Sequence, residues 1–148
     1  MNAYNMNQYY QNQVSTASPE QILLMLYDGA IRFTRQAITG VETNDSEARR
    51  YGISKAMAIV AEFASSLDHE MGRHFAEDLD ALYNFIIQEL TAANIKNDIE
   101  KLHVAEKLLV DLRTTWVEAI EVSKKEMIAA VSANQDPQQS RTSFSVSR

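Results

Sequence analysis

The chain has 148 residues, a formal net charge of −6, no cysteine, four glycines and two prolines. This length allows one domain with a sizeable core, and the low glycine and proline content favours long helices over a turn-rich β fold. Without cysteine, disulfides and thiolate metal sites are excluded. The Lys and Arg residues are scattered, which argues against a nucleic-acid partner. No apolar run approaches the ~20 residues of a membrane-spanning helix.

The chain is organised around an apolar stretch, Ile22–Tyr27, that follows a strong helix-start signal. Ser18 can accept a hydrogen bond from a free amide of the first turn. Pro19 fits the first helical position, where no amide partner is needed, and Gln21 completes a capping box with Ser18. These residues predict a first helix over 19–42.

A helical wheel places two neighbouring apolar lines on this helix. The first line has the 3/4 spacing of a buried seam and consists of Leu23, Leu26, Ala30, Phe33, Ala37 and Val41. The second consists of Leu24, Ile31 and Ile38, with Tyr27 between the two lines. Together they span roughly 200°, against the ~100° that a surface helix needs. We therefore predict that the second line forms a groove, covered by another segment or by a partner.

Residues 1–17 are rich in Asn and Gln and carry no charged side chain. Two interpretations stay open, a disordered tail or a tethered cover for the first helix. Disordered segments are poor in aromatic residues, whereas this leader contains several tyrosines. Its residues predicted to act as cover or as partner contacts are Tyr9, Tyr10 and Val14.

Three further amphipathic patterns predict helices over 47–68, 73–94 and 99–131. The connections between them are a few residues long, which forces neighbouring helices to run antiparallel. The predicted fold class is all-α: an antiparallel up-down four-helix bundle with a short N-terminal cap segment. On the third helix, Tyr83 flanks the apolar seam and Ile87 points off it, and we predict that both contact a partner.

The predicted domain organisation has three parts: a leader or cap over 1–17, the bundle over 18–133 and a disordered tail over 134–148. The N-terminus has neither the positive charge nor the apolar core of a signal peptide. A cytoplasmic location is the expectation that follows.

No arrangement of side chains suited to catalysis can be identified. A di-metal site in a bundle needs two Glu-x-x-His pairs and two further glutamates facing inward; this chain has one such pair, Glu100 and His103, and Glu100 faces away from the seam. There is no glycine-rich phosphate loop, and Trp116 lies on the seam of the fourth helix. We predict that the chain is a binding protein, that it is not an enzyme, and that it has no cofactor or metal.

Five short stretches resemble one family in order and spacing. They are VSTASPEQI at 14–22, LYDGA at 26–30, LYNFI at 82–86, ANIKND at 93–98 and WVEA at 116–119. Together they are similar to the flagellar secretion chaperone FliS family, the cytoplasmic escorts of flagellin, and the likeness covers most of the chain.

The resemblance implies an antiparallel helical bundle whose N-terminal cap can vacate an apolar groove. It also implies that the chain binds the C-terminal segment of flagellin, prevents premature polymerisation, and delivers flagellin to the export gate of the flagellar type III secretion apparatus. Two rival hypotheses come from the bundle itself. One is a self-associating bundle that forms a homodimer through its excess apolar line, and the other is a ferritin-like di-metal protein.

Overall fold

A computed structural model describes residues 17–68 and 73–134 of the chain. The predicted leader residues Tyr9, Tyr10 and Val14, and nearly all of the predicted tail, lie outside the described residues. The chain divides into two compact units, 1–113 and 114–148. The domain boundaries predicted from the sequence stay a prediction.

All four predicted helices are present, and their bounds are α1 Pro19–Glu42, α2 Ser46–Ser65, α3 Arg73–Lys96 and α4 Ile99–Asn134. The capping box forms as predicted, because the amide of Gln21 donates to Ser18 Oγ and the amide of Ser18 donates to Gln21 Oε1, at 3.2 and 3.0 Å. Asp45 caps α2 by accepting from the amide of Ala48 at 3.1 Å. The predicted all-α bundle is confirmed.

Contacts in the first unit fix the directions of the helices. On α1 and α2, Tyr27 lies against Phe63 at one end and Gly40 lies against Arg49 at the other. Residues that come later in one helix thus lie against residues that come earlier in the other. Contacts between α2 and α3 show the same order. Ion pairs show it between α1 and α4 and are consistent with it between α3 and α4. These pairs are Arg35–Glu106 at 2.7 Å, Asp28–Arg113 at 2.6 Å and Glu89–Lys101 at 3.6 Å. Sequential helices therefore run antiparallel.

Two tight turns lie at one end of this unit. Asn44 between α1 and α2 and Asn97 between α3 and α4 both adopt left-handed backbone conformations, with φ of 57° and 54°. Asparagine tolerates this region better than most residues. Arg49 lies in the first turn of α2, directly after the first of these turns. Its Nη1 donates to Asn97 Oδ1 at 2.7 Å and so links the start of α2 to the second turn.

The backbones of α1 and α2 approach each other closely at Gly52. A Cβ atom at Gly52 would overlap the carbonyl oxygen of Phe33 and would lie 2.8 Å from the amide nitrogen of Ala37. Gly29 in α1 differs from Gly52 in α2, because a Cβ at Gly29 would meet only the side-chain ends of Ile59 and Arg32, at 3.4 and 4.0 Å. The close crossing therefore depends on the missing side chain at Gly52.

A cluster of three aromatic rings joins α1, α2 and α3 inside the bundle. The ring of Phe63 stacks on Tyr27 at 4.4 Å between centroids and lies 5.5 Å from the ring of Tyr83. The hydroxyl oxygens of Tyr27 and Tyr83 are 2.6 Å apart, which is hydrogen-bonding distance. Both tyrosines are buried, so the two polar ends satisfy each other where water is excluded.

The rotation of α1 predicted from the wheel is partly wrong: both alanines of the predicted seam are buried as expected, but other positions differ. Tyr27, Ile31 and Ile38, which the sequence predicts on the partner-facing side, are buried at 0, 6 and 7% exposure. Leu26, which was placed in the buried seam, is 38% exposed. The aromatic cluster explains the difference: once Tyr27 points inward, residues four and eleven positions further along the helix also point inward.

In the second unit, the structure describes residues 114–134, all of which belong to α4. Trp116, Val117 and Ile120 are half-buried. The four large apolar residues further along are exposed: Val122, Met127, Ile128 and Val131.

We predict that Gly52→Ala destabilises the protein by about 1–3 kcal/mol, because the added methyl group must push α1 and α2 apart. Gly29→Ala is the matched control, and it should be neutral or stabilising by up to about 1 kcal/mol, since alanine is the better helix former and has room. Urea denaturation of both variants measures the effect. Equal stability of the two variants would contradict the close crossing at Gly52.

We also predict energetic coupling between the two buried hydroxyls. Tyr27→Phe and Tyr83→Phe should each lower the free energy of unfolding, and the double variant should lose less than the sum, by about 1 kcal/mol, because the second change removes a hydroxyl that has already lost this partner. A double-mutant cycle followed by denaturant unfolding measures this coupling. Additive losses would mean that the two hydroxyls act independently.

Candidate partner-binding groove

An open groove of about 440 Å³ runs between α2 and α3. Its lining residues on α2 are Ile53, Ser54, Met57, Ala58 and Ala61, and those on α3 are Ile87 and Asn94. The groove exists because the large side chains of α2, such as Val60 and Phe63, point into the core. The part of α2 that borders the groove carries the small residues Ser54, Ala58 and Ala61, so the space between the two helices stays open at the surface.

No residue that lines the groove carries a charge. In the whole chain, by comparison, 23% of residues are charged. Its polar groups are the Ser54 hydroxyl and the Asn94 amide, and Asn94 Oδ1 is buried without a hydrogen-bond partner among the described residues. An uncharged, apolar lining with few polar groups is typical of a binding site.

Met57 is the largest flexible side chain in the groove. Its Sδ atom lies 3.7 Å from the Thr91 hydroxyl, which also donates to the carbonyl oxygen of Ile87 at 2.8 Å. A thioether is polarisable and can adopt several rotamers, so methionine adapts to partner surfaces of different shape. Met57 therefore gives this groove a deformable wall.

The structure places the predicted partner-contact residues in three different environments. Ile87 lines the groove and is half-buried. Tyr27, Ile31, Ile38 and Tyr83 are buried in the core, and Leu24 is half-buried on α1. The leader residues Tyr9, Tyr10 and Val14 lie outside the described residues. Partner contact by these nine residues stays a prediction.

Most of the groove was missed by sequence reasoning. The sequence pattern over 47–68 is that of an amphipathic helix, because its large apolar residues form one core-facing seam. A usable signal was present in the small residues Ser54, Ala58, Ala61 and Ser65, which recur at spacings of four, three and four. Such spacing places them on one face of a helix, but small side chains contribute little to an apolar pattern.

Two other kinds of site are not found among the described residues. Within 17–68 and 73–134, no group of three or more His, Asp or Glu side chains is placed to hold a metal ion. The same part of the chain contains no helix that is long and apolar enough to cross a membrane. Phe85 and Val104 are exposed apolar residues on α3 and α4 and do not line the groove.

Comparison with known proteins gives a consistent assignment. Residues 1–123 match the family described as "Flagellar protein FliS". The chain is 34% identical over 118 residues to the "Flagellar secretion chaperone FliS" of Bacillus subtilis, covering 80% of this chain and 87% of the relative. It is also 34% identical over 112 residues to the protein of the same name from Campylobacter jejuni, covering 76% of this chain and 88% of the relative.

A solved structure supports the fold. The structure described as "Crystal structure of flagellar chaperone from bacteria" superimposes with a TM-score of 0.65 at 19% sequence identity, covering 80% of this chain and 96% of that chain. The predicted absence of enzymatic activity is confirmed by the relatives, which are named as chaperones. With the family match spanning residues 1–123 and relatives above 30% identity over most of their length, the chain belongs to the FliS family of flagellar chaperones.

Proposed function

We propose that this protein is a cytoplasmic export chaperone that binds the C-terminal segment of flagellin, prevents its premature polymerisation and delivers it to the flagellar type III export apparatus. The observation that supports this most is the uncharged groove between α2 and α3 in a member of the FliS family. The relatives are named flagellar secretion chaperones, and flagellin is the flagellar substrate that the resemblance implies.

The shape of the groove favours an amphipathic helix as its occupant. Ser54, Ala58 and Ala61 form a low wall that lets a second helix approach closely, while Met57 and Ile87 provide apolar surface on either side. A helix laid into an apolar groove presents large side chains at spacings of three and four residues. A flagellin segment that is disordered when free and helical when bound fits this mode.

Coupling of folding to binding suits an escort that has to release its cargo. Ordering a disordered segment costs about 2–5 kcal/mol or more of the interaction energy. The affinity can therefore stay moderate although the contact area is large. A component of the export gate then needs to supply little free energy to release flagellin from the groove.

The rival hypotheses receive less support. A ferritin-like di-metal protein needs a cluster of inward-facing carboxylates and histidines, and none was found among the described residues. A self-associating bundle would use the second apolar line of α1, but Ile31 and Ile38 on that line are buried within a single chain.

We predict that Ala61→Arg weakens flagellin binding by about tenfold or more, because the long charged side chain occupies the groove and cannot be buried without cost. Its melting temperature should change little, since Ala61 is exposed and arginine is a good helix former. Ala129→Arg is the matched control, because it adds the same charge at an exposed alanine of α4 that does not line the groove.

Isothermal titration calorimetry with full-length flagellin measures both variants. Repeating the titration with flagellin that lacks its C-terminal segment tests the proposed contact. Undiminished binding by Ala61→Arg, or by the truncated flagellin, would contradict the corresponding part of the proposal.

A separate prediction concerns the leader, which we propose covers apolar surface in the free chaperone. Deletion of residues 1–17 should increase the fluorescence of a hydrophobic dye, because aromatic side chains of the leader no longer shield the bundle. Replacing Tyr9 and Tyr10 by serine in the full-length chain is the milder control and should give a smaller increase. Unchanged fluorescence after the deletion would mean that the leader covers nothing.

A further inference from the structure

We propose that Met57 is an oxidation-sensitive site, at which conversion of the thioether to the sulfoxide lowers the affinity of the groove for its apolar partner. This inference rests on the proposed function, because it concerns regulation of the same groove. The oxidant that we name is hydrogen peroxide or an organic peroxide.

The position of Met57 exposes its sulfur to a peroxide and places the oxidised side chain on the surface that the partner covers. Its side chain is half-buried and lines the open groove between α2 and α3, so a small peroxide can reach the sulfur while the groove is empty. The surrounding lining is uncharged and consists mainly of Ile, Ala and Met side chains. A polar atom introduced here would lie on the surface that a bound apolar helix covers.

The chemistry requires no other reactant. The O–O bond of the peroxide breaks, one oxygen forms a bond to Sδ, the sulfur is oxidised by two electrons, and hydrogen peroxide is reduced to water. The product is a polar and chiral sulfoxide, a change that is reversible by methionine sulfoxide reductases and disrupts methionine-lined interfaces.

The Thr91 hydroxyl strengthens the effect. It lies 3.7 Å from Met57 Sδ and donates to the Ile87 carbonyl at 2.8 Å. A sulfoxide oxygen is a much better acceptor than a thioether, so this hydroxyl can turn to the new oxygen and hold it in the groove. The partner would then meet a fixed polar group in place of a deformable apolar one.

The composition of the chain leaves methionine as its reversible redox group. The sequence has no cysteine and six methionines. Met127 in α4 is 67% exposed and lies outside the groove, which makes it an internal reference for oxidation without loss of binding. Met25 in α1 is half-buried and does not line the groove either.

The experiment compares reduced and peroxide-treated full-length protein. Oxidation of each methionine is followed by peptide mass spectrometry, and flagellin affinity is measured by calorimetry on the same samples. We expect sulfoxide at both Met57 and Met127, and a rise in Kd of about tenfold or more. Treatment with both stereospecific methionine sulfoxide reductases should restore the original Kd.

Two variants assign the effect to one sulfur. Met57→Leu is compared with itself before and after peroxide, and its Kd should not change, because leucine cannot be oxidised. Met127→Leu should still show the full rise. Circular dichroism of the oxidised wild type should retain the helical signal, which separates a blocked groove from an unfolded protein.

The inference is overturned if Met57 stays reduced while Met127 is oxidised, if Met57 sulfoxide leaves the Kd unchanged, or if oxidised Met57→Leu loses as much affinity as the wild type. Reduced protein that does not bind flagellin gives a different result. That outcome overturns the proposed function itself and the regulatory inference with it. The two failures are distinguishable, because binding of the reduced protein is measured before any peroxide is added.

Discussion

The inward orientation of Tyr27 is the constraint on which the first unit of this protein depends. Its ring stacks on Phe63 and its hydroxyl meets that of Tyr83, so one side chain of α1 fixes positions on both α2 and α3. With Tyr27 inside, Ile31 and Ile38 must also be inside. With Phe63 inside, α2 must turn its small residues outward, and the groove beside α3 follows from that rotation.

The dependence on contacts between distant residues explains which features could be predicted from the sequence and which could not. The start of α1 was predictable because Ser18, Pro19 and Gln21 form a local signal that needs no tertiary information. The four helices and their antiparallel order were predictable from apolar period and short connections. Local rules also explain why α2 ends earlier than predicted: Ser65 and Ser66 bond back to the carbonyls of Glu62 and Phe63, and the helix stops there.

The rotation of α1 could not be predicted in the same way. Two apolar lines adjacent on the wheel are equally good candidates for burial, and a tyrosine is amphipathic enough to lie at the edge of either line. The core takes residues from both lines, and the contact that turns Tyr27 inward joins residues 56 positions apart. The groove was hidden for a related reason, since Ser54, Ala58 and Ala61 are recognisable as a surface only when α3 is known to lie beside them.

The small side chains of the groove also have a consequence for how such a protein can diverge. Ser54, Ala58 and Ala61 are exposed, so exchanging one of them for a slightly larger residue would reduce the volume of the groove without disturbing the aromatic cluster. The large core residues and the small groove residues of α2 thus lie mainly on different sides of one helix. A single substitution on the groove side of α2 can therefore change the shape of the groove while the packing of the core is kept.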